Sequence, residues 1–404
     1  MNARIFYFIA DTYPAWRNDL VELFGHDLSL RGLSVTWSMR RSEAGPCATV
    51  RQGGQSVCLP ACLGHRNAGA KIANRLLEAL CEVYWFLGLV SGPRYDVIQV
   101  RDGRYLAGFW AWLAARVTGA RFVYWLSFPF PENDAGNAGL TGGWRRTFLA
   151  ARARITGWWL YGIVLHLADH VFVQSRQMAL DLERYGVARA KMTVVPMGVP
   201  QRLLDRAGDR PPVVAGRIAY VGTLASMRRL HVLLEAFAIV RQRCPYATLL
   251  MIGDGDHPHE RRALEQLAAA RGLADAVTFT GFVPMEHAWS HAATAELCLS
   301  PFYPTFVLRS ASPTKLVEYM TLGRPVVAND HPEQAAILRE CGAGLCVPWG
   351  AREFAGAMVW LLEHPHEAQA MGARGRVWAA ANRAYPVIAD GVWLKYRELL
   401  GQAA

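Results

Sequence analysis

A lysine and a glutamate three residues apart, Lys315 and Glu318, suit ligand chemistry by their types and spacing. They fall in the stretch 309–328, where Ser312 can cap a helix and Pro313 suits its first turn, so we predict a short helix that leads into a buried strand. Residues three apart share one face of a helix, and free N–H groups at a helix start attract phosphate. The pattern indicates a site for a phosphorylated ligand that carries hydroxyl groups. An ordinary α/β helix with a surface ion pair is the alternative.

The same stretch resembles the C-terminal signature of retaining GT-B glycosyltransferases of family 4. In that signature a Pro-Ser/Thr-Lys-x-x-Glu-Tyr run precedes a Gly-x-Pro-Val-Val strand, and Pro313–Tyr319 matches the run with Thr314 at the Ser/Thr position. In the family the lysine lies near the donor diphosphate and the glutamate holds the donor ribose, so the resemblance assigns these contacts to Lys315 and Glu318. The first glutamate of the family's Glu-x7-Glu pair is Ser310 here, which becomes a possible contact to the donor sugar.

The turn Tyr-Val-Gly-Thr-Leu-Ala-Ser-Met-Arg-Arg, which contains Gly222, also suits phosphate binding. A glycine lets backbone amides approach a diphosphate closely, and a cation at Arg228 would neutralise it. The turn resembles the family's Gly-Arg-Leu-x-x-x-Lys-Gly segment, with Thr223 at the arginine position and Arg228 at the lysine position. The resemblance therefore leaves one phosphate cation to be supplied by Arg229 or Lys315. A strand-to-helix turn with two surface arginines is the alternative.

Two further loops bear on the donor. The Gly-Phe-Val turn resembles the family turn that borders the nucleotide base, so backbone groups of Phe282 and Val283 are expected to read the base edge. Asp254 and Asp256, with histidines nearby, could instead bind a divalent metal, but in the family such a Gly-Asp-Gly loop only turns the chain. We therefore expect a nucleotide-sugar substrate, no cofactor and no metal.

The N-terminal half offers fewer chemical candidates. Asp11 and Tyr13 occupy the loop after the first strand, where the family often has a Gly-Gly loop, and Ser127 stands where many relatives carry a histidine near the donor anomeric carbon. These residues are possible contacts to the donor sugar or the acceptor. No residue is assigned as catalytic, because retention in relatives is thought to need no protein nucleophile: the leaving diphosphate accepts the acceptor proton.

Alternating strands and helices place the chain in the α/β class. The resemblance implies two doubly wound, Rossmann-like domains facing across a cleft, the GT-B arrangement. We place an acceptor-binding domain at 1–204, a nucleotide-sugar-binding domain at 205–384 and a terminal helix that returns to the first domain at 385–404. Within this plan, Gln201–Pro212 is the linker candidate and Arg41–Gly69 is predicted to be irregular.

Composition and charge limit the function classes. The chain has 404 residues, of which 52% are hydrophobic, so it can bury large cores and is not disordered. Of its formal charge of +10, +8 lies in residues 1–200, which suggests an anionic partner there. Eight cysteines form no zinc-like array, as expected for reduced thiols on the cytosolic side. The N-terminus suits a first strand better than a signal peptide, and no apolar stretch reaches the roughly 20 residues of a membrane span.

Two stretches combine basic and aromatic residues. Lys71–Val90 is predicted to be helical, with either a membrane-facing side or a role as a buried domain helix. Trp144–Leu167 carries arginines beside tryptophans, which suits a lipid headgroup region or a solvated helix face. Nucleic acid is not expected because no recognition motif accompanies the charge. The predicted location is cytoplasmic, peripheral on the inner face of the plasma membrane.

Together these features predict a retaining, metal-independent glycosyltransferase that acts on a lipid-linked or glycan acceptor in cell-surface glycan biosynthesis. A nucleotide-sugar epimerase with the same fold would use the same phosphate cations, and only isomerisation without an acceptor would separate it from a transferase. A non-catalytic, membrane-associated partner protein is a third hypothesis, because Ser310, Thr223 and Ser127 replace polar groups of the family.

Overall fold

The chain divides into two compact units. The structure, a computed structural model, describes residues 2–15, 17–64, 68–139, 142–206 and 211–402. The first unit extends to Pro196 and resumes at Ile388, and the second runs from Met197 to Val387. The sequence-based boundaries at 204 and 384 lie several residues away from these divisions, in part because Leu203 is buried in a core of the second unit.

An eight-stranded sheet forms the centre of the first unit in its described residues. Its strands are β1 (Ala3–Tyr13), β2 (Leu33–Arg41), β3 (Ala48–Gln52), β4 (Gln55–Leu59), β5 (Val97–Arg101), β6 (Arg121–Leu126), β7 (His170–Val173) and β8 (Met192–Val194). They lie in the order β3-β4-β2-β1-β5-β6-β7-β8, and all pairs are parallel except β3 with β4. Every residue of β5 and β7 is buried, as expected for strands covered on both faces.

The helices of the first unit connect these parallel strands. They are α1 (Leu28–Leu30), which continues a π-helical segment at Asp19–Asp27, α2 (Ala68–Ser91), α3 (Tyr105–Thr118), α4 (Phe130–Gly139), α5 (Gly143–Trp159), α6 (Leu165–Leu167), which follows a π-helical segment at Leu160–Val164, and α7 (Arg176–Glu183). Because crossovers between parallel strands are right-handed, α2, α3 and α5 cover the same face of the sheet. Ring contacts Phe86–Trp110 and Phe109–Trp159 join these helices into one layer.

The composition of Arg41–Gly69 predicted an irregular segment, and this prediction is wrong. The segment contains the antiparallel hairpin of β3 and β4. Gly53 and Gly54 connect the two strands with φ values of 56° and 81°. Two positive φ values fit the two-residue hairpin turn whose twist matches paired strands. The Gly-Gly pair was therefore the missed signal. Residues 65–67 of this segment lie outside the described part.

Helix α2 confirms the helix predicted at Lys71–Val90 and has two different sides. Glu82, Trp85 and Leu89 are buried on the side that faces the sheet. The other side is exposed to solvent along most of its length. Neither of the two sequence-based interpretations is therefore complete, since one side is a domain core and the other has no covering element in the described residues.

The second unit is a six-stranded parallel sheet in its described residues, in the order β11-β10-β9-β12-β13-β14. Its strands are β9 (Arg217–Val221), β10 (Thr248–Ile252), β11 (Val277–Phe279), β12 (Leu297–Ser300), β13 (Val326–Asn329) and β14 (Gly344–Val347). Its helices are α8 (Gln201–Arg206), α9 (His231–Arg243), α10 (Pro258–Ala270), α11 (Met285–Ala293), α12 (Phe306–Arg309), α13 (Thr314–Thr321), α14 (Pro332–Cys341), α15 (Ala351–Glu363) and α16 (Pro365–Arg383). Separate apolar clusters cover the two faces of the sheet, so this unit is doubly wound as predicted.

Two connections need comment. The linker predicted at Gln201–Pro212 begins with helix α8, because buried Leu203 anchors it, and residues 207–210 lie outside the described part. The terminal helix α17 (Tyr385–Leu399) ends in the first unit, where the Tyr396 hydroxyl donates to Gln99 Oε1 (2.5 Å). The chain from Ile388 onward therefore belongs to the first unit. No described helix combines the length and apolar character that a membrane crossing requires.

The buried ion pairs of Arg104 are expected to contribute to the stability of the first unit. Its guanidinium is 1% exposed, with Nη1 2.6 Å from Glu78 Oε1 and 2.9 Å from Glu82 Oε1. We expect Arg104→Met to reduce the free energy of unfolding by about 3–5 kcal/mol, because it leaves buried carboxylates without their cation. Urea unfolding would measure the loss, with the exposed Arg94→Gln as a control expected to change little. Equal stability of Arg104→Met and wild type would contradict this account.

Candidate functional site

Three strands of the second sheet end in glycine turns that contact one another. Gly222 follows β9, and its N–H donates to the carbonyl oxygen of Ile252 at the end of β10 (2.8 Å). Gly253 has a φ of 133° and lies so close that a Cβ there would collide with the Gly222 carbonyl. Gly281, after β11, pairs with Gly253. Since ligands of doubly wound sheets bind outside the carboxyl ends of the strands, these turns lie at the edge where a site is expected.

Lys315 lies directly against Gly222. The lysine is in the first turn of α13, and a Cβ on Gly222 would meet its Cε and lie 2.8 Å from its Nζ. Gly222 also has a φ of 144°, which other residues rarely adopt. The ammonium is 5.5 Å from the centre of the Tyr220 ring. The absence of a side chain at 222 therefore lets the Lys315 ammonium lie over the end of β9.

The charges around Lys315 favour an anion. Burial lowers the pKa of Lys315 well below its usual value, and the nearby charge of Arg228 lowers this pKa further. Glu318 raises the pKa, but its effect is smaller than that of the other two causes. Two basic side chains are thus held close together with only one carboxylate nearby. A phosphate group at this point would stabilise both charges.

Glu318 is buried one turn along α13 and is 5% exposed. Burial raises its pKa to about 7, although the Trp289 indole and Lys315 act in the opposite direction. Such a shift is typical of functional sites and also occurs in structural ion pairs. The structure thus brings together Lys315, Glu318, Gly222 and Arg228, all of which the sequence had assigned to the donor.

The structure corrects the role predicted for Ser312. Helix α13 begins at Thr314, and Ser312 does not cap it. Its hydroxyl instead accepts the Met197 N–H (3.0 Å), a contact between distant parts of the chain that local sequence could not indicate. Ser310 is also buried, and its hydroxyl donates to the carbonyl oxygen of Val307 (3.3 Å). Its predicted contact to the donor sugar stays a prediction.

The other residues predicted to contact the donor lie in the same turns. Thr314 is half-buried beside Lys315, and Thr223 is half-buried next to Gly222. Arg229 is exposed in a left-handed conformation with a φ of 53°. After β11, Phe282 is 84% exposed and Val283 is half-buried. That turn presents an aromatic ring to solvent.

A buried polar network at the carboxyl ends of β5 and β6 surrounds Ser127 in the first unit. The Ser127 hydroxyl donates to Asp102 and accepts from Arg101 Nη2 (3.0 Å). Arg101 Nη2 also lies 2.5 Å from Asp19 Oδ2. Burial raises the pKa of Asp102, whereas Arg101 and Arg17 outweigh burial and lower the pKa of Asp19.

Sequence reasoning selected Ser127 but missed its partners. Arg101 ends a buried strand and Asp102 follows it, which was a usable signal because polar residues at strand ends often mark sites. The Ser127 hydroxyl is hydrogen-bonded within this network. Asp11 and Tyr13, the other candidates here, are half-buried in the last part of β1, and Asp11 lies 3.9 Å from Arg17. The loop predicted from Asp11 onward is therefore partly strand.

The Asp254 loop supports a structural interpretation. Asp254 accepts the Gly255 N–H (2.8 Å) and lies 3.4 Å from Arg261 Nε. His257 belongs to a capping box with Glu260 at the start of α10. Across the described ranges, no cluster of three or more His, Cys, Asp or Glu side chains has the arrangement of a metal site.

Two family models match separate parts of the chain. Residues 21–198 match the glycosyl transferase 4-like domain, and residues 215–364 match glycosyl transferases group 1. The chain belongs to the GT-B glycosyltransferases of family 4. The first match ends two residues beyond the first unit, and the second lies within the second unit and includes the turns and helix that place Lys315 and Glu318.

Known proteins of this family share moderate identity with the chain. Alpha-D-kanosaminyltransferase of Streptomyces kanamyceticus is 31% identical over 49% of this chain and 48% of its own length. A GDP-mannose-dependent alpha-(1-6)-phosphatidylinositol monomannoside mannosyltransferase of Mycobacterium tuberculosis is 29% identical over 46% of each. The chain thus spans about half the length of the curated relatives it matches.

A solved structure confirms the fold along nearly the whole chain. Sucrose-phosphate synthase of Thermosynechococcus elongatus aligns with a TM-score of 0.72 and 20% identity, covering 99% of this chain and 100% of that one. At this identity the likeness concerns the fold alone.

The pKa of Glu318 gives a stability prediction. Between its ordinary pKa near 4.5 and its folded value near 7, the folded state binds a proton that the unfolded state lacks, so stability falls as pH rises through this range. In wild type this effect should lower the free energy of unfolding by roughly 3 kcal/mol across the range, and Glu318→Gln should abolish that decrease. Urea unfolding at pH 5 and pH 8 would measure it, with exposed Glu367→Gln as the matched control. The same pH dependence in wild type and Glu318→Gln would show that Glu318 is ionised normally.

Proposed function

We propose that this protein is a retaining glycosyltransferase that transfers a sugar from a nucleotide-diphosphate donor. The observation that carries the proposal is the meeting of Gly222, Arg228, Lys315 and Glu318 at the carboxyl edge of the second sheet. Two cations with an open glycine turn fit a diphosphate, and a carboxylate one turn away fits the ribose hydroxyls. Family membership supports this assignment.

The proposed role of these residues is positioning and charge neutralisation. Arg228 and Lys315 would stabilise the negative charge that grows on the leaving diphosphate, and they are already held in place before the reaction. Glu318 would fix the nucleoside, and Phe282 and Val283 would border its base. The leaving diphosphate itself would accept the proton of the acceptor hydroxyl, so no protein nucleophile and no metal are required.

We further propose a lipid-linked acceptor at the cytosolic face of the plasma membrane, in cell-surface glycan biosynthesis. Helix α5 supports this, because Trp144 and Trp158 are 75% and 65% exposed. Arg145 and Arg146 are exposed beside them, whereas Arg152 pairs with an aspartate (2.5 Å). Exposed tryptophans next to arginines suit a membrane interface. One relative's name, a phosphatidylinositol mannoside mannosyltransferase, points in the same direction.

Nucleotide binding is the direct test of the donor site. Glu318→Ala should weaken the binding of the preferred nucleoside diphosphate by about 1.5–3 kcal/mol, because a charged hydrogen-bond partner is lost. Gly222→Ala should also weaken it, since the new Cβ displaces Lys315. A thermal-shift panel would select the nucleotide and calorimetry would measure affinity. Glu367→Ala and Gly356→Ala, an exposed acid and a glycine with open space around it, are the controls. Unchanged affinity in both site variants would refute the assignment.

Chelation tests the proposed independence from metal. Turnover should persist in EDTA, because Arg228 and Lys315 take the place of a metal at the diphosphate. The measurement is the transfer rate before and after dialysis against EDTA. Loss of turnover that manganese restores would instead support metal binding near Asp254 and Asp256.

Sedimentation with vesicles tests the membrane proposal. Wild type should bind anionic vesicles at low salt and release them at high salt, because exposed cations contribute roughly 1 kcal/mol each near an anionic surface. The variant Arg145→Gln/Arg146→Gln should bind vesicles more weakly than wild type. The control Arg262→Gln/Arg352→Gln, which removes two exposed cations from the second unit, should bind them as wild type does. Binding that ignores lipid charge, or no binding at all, would favour a soluble acceptor.

A further inference from the structure

A small cationic pocket lies at the carboxyl ends of β1, β2 and β4 in the first unit, beside the beginning of α2. Its volume is about 290 Å³, enough for a phosphate or diphosphate group. Its charged lining consists of four cations and one carboxylate: Arg40, Arg41, Lys71, Arg75 and Glu78. All of its lining residues belong to the first unit.

The carboxylate of this pocket is already neutralised. Glu78 Oε1 is 2.8 Å from Arg40 Nε and 2.6 Å from Arg104 Nη1. Lys71 and Arg75 are exposed, and neither has an acidic partner in the described part of the chain. The pocket therefore keeps an excess of positive charge that an anion would balance.

An apolar stripe runs along α2 from the same pocket. Five large side chains spaced one helical turn apart are more than half exposed: Ile72 (64%), Leu76 (64%), Leu80 (67%), Tyr84 (66%) and Leu87 (57%). The stripe is about 22 Å long at the rise of an α-helix. Single exposed apolar residues are ordinary, but a continuous row on one helix marks an interaction surface.

The charged residues of α2 share one side of the helix, because Lys71, Arg75, Glu78 and Glu82 follow one another at intervals of three or four residues. Glu78 and Glu82 both contact Arg104, whereas Lys71 and Arg75, nearer the start of the helix, are exposed. The apolar stripe lies on the other side, and α2 carries no exposed acid. This combination is typical of a helix that lies in the interface of an anionic membrane.

We propose that the pocket binds the phosphate or diphosphate group of a membrane-lipid acceptor, with the apolar stripe of α2 in the bilayer interface. Lys71 and Arg75 line the pocket, and Ile72 and Leu76, each one residue further along, begin the stripe. The same end of α2 would therefore hold the headgroup in the pocket and begin the apolar contact with the bilayer. The inference rests on the proposed function, because it names the chemistry of the acceptor.

The first experiment compares vesicles of phosphatidylcholine that contain either phosphatidic acid or phosphatidylglycerol. Wild type should prefer phosphatidic acid, which offers a terminal phosphate. Lys71→Gln/Arg75→Gln should bind it about 30-fold more weakly, roughly fivefold for each cation. The matched control is Arg51→Gln/Arg94→Gln, which removes two exposed cations of the first unit that do not line the pocket.

The second experiment separates the pocket from the stripe with inorganic diphosphate as a soluble probe. Leu76→Ser/Leu80→Ser should lose vesicle binding but keep the diphosphate affinity of wild type by calorimetry. Lys71→Gln/Arg75→Gln should lose one diphosphate site. Any diphosphate bound at the donor turns is common to all variants and cancels in the comparison.

Three outcomes would overturn the proposal. Equal binding by wild type and Lys71→Gln/Arg75→Gln would remove the pocket as a phosphate site. Diphosphate binding without vesicle binding would indicate a soluble phosphorylated acceptor. A dimer that Leu76→Ser/Leu80→Ser dissociates, without vesicle binding, would assign the stripe to self-association. Nucleotide affinity should be unchanged in these variants, and failure of wild type to bind any nucleotide would refute the donor site while leaving the lipid result intact.

Discussion

The close approach of backbone and side chain at Gly222 is the constraint on which the second unit's site depends. The Tyr319 hydroxyl accepts the Val221 N–H (2.7 Å), which holds α13 against the end of β9. With the helix held there, Lys315 can lie over position 222 only because glycine has no side chain. The same placement fixes Glu318 one turn away. The positions of Lys315 and Glu318 therefore depend on one hydrogen bond and on the absence of a Cβ at position 222.

The first unit contains arginines that are buried near the carboxyl ends of its strands. Arg101 and Arg104 are each only 1% exposed in their side chains, and each is surrounded by carboxylates. Removing a cation from such a group leaves a charge uncompensated in a low-dielectric interior. These pairings place four carboxylates next to only two buried arginines. The excess positive charge of residues 1–200 therefore lies mainly on the surface, where a partner can bind it.

Much of the fold could be predicted because buried parallel strands form continuous apolar runs. Arg121–Leu126, Thr248–Ile252 and Leu297–Ser300 are strands with the predicted bounds. The hairpin of β3 and β4 was missed because its strands are short and half polar. In the site, the structure brings together Gly222 and Lys315, two residues that the family resemblance had assigned to the donor diphosphate. The partners of Ser127 and Ser312 could not be predicted, because contacts between residues far apart in the chain leave no local pattern.

The opposite pKa displacements within α13 have a consequence for proton balance. Burial favours the neutral forms of both Lys315 and Glu318, so the unliganded site binds protons differently from the same groups in water. A diphosphate favours the charged lysine, so its binding would raise the pKa of Lys315 back toward the usual value. Ligand entry and protonation would thus be coupled. At a pH between these two pKa values, the heat of association would depend on the ionisation enthalpy of the buffer, and affinity would weaken as the solution becomes more alkaline.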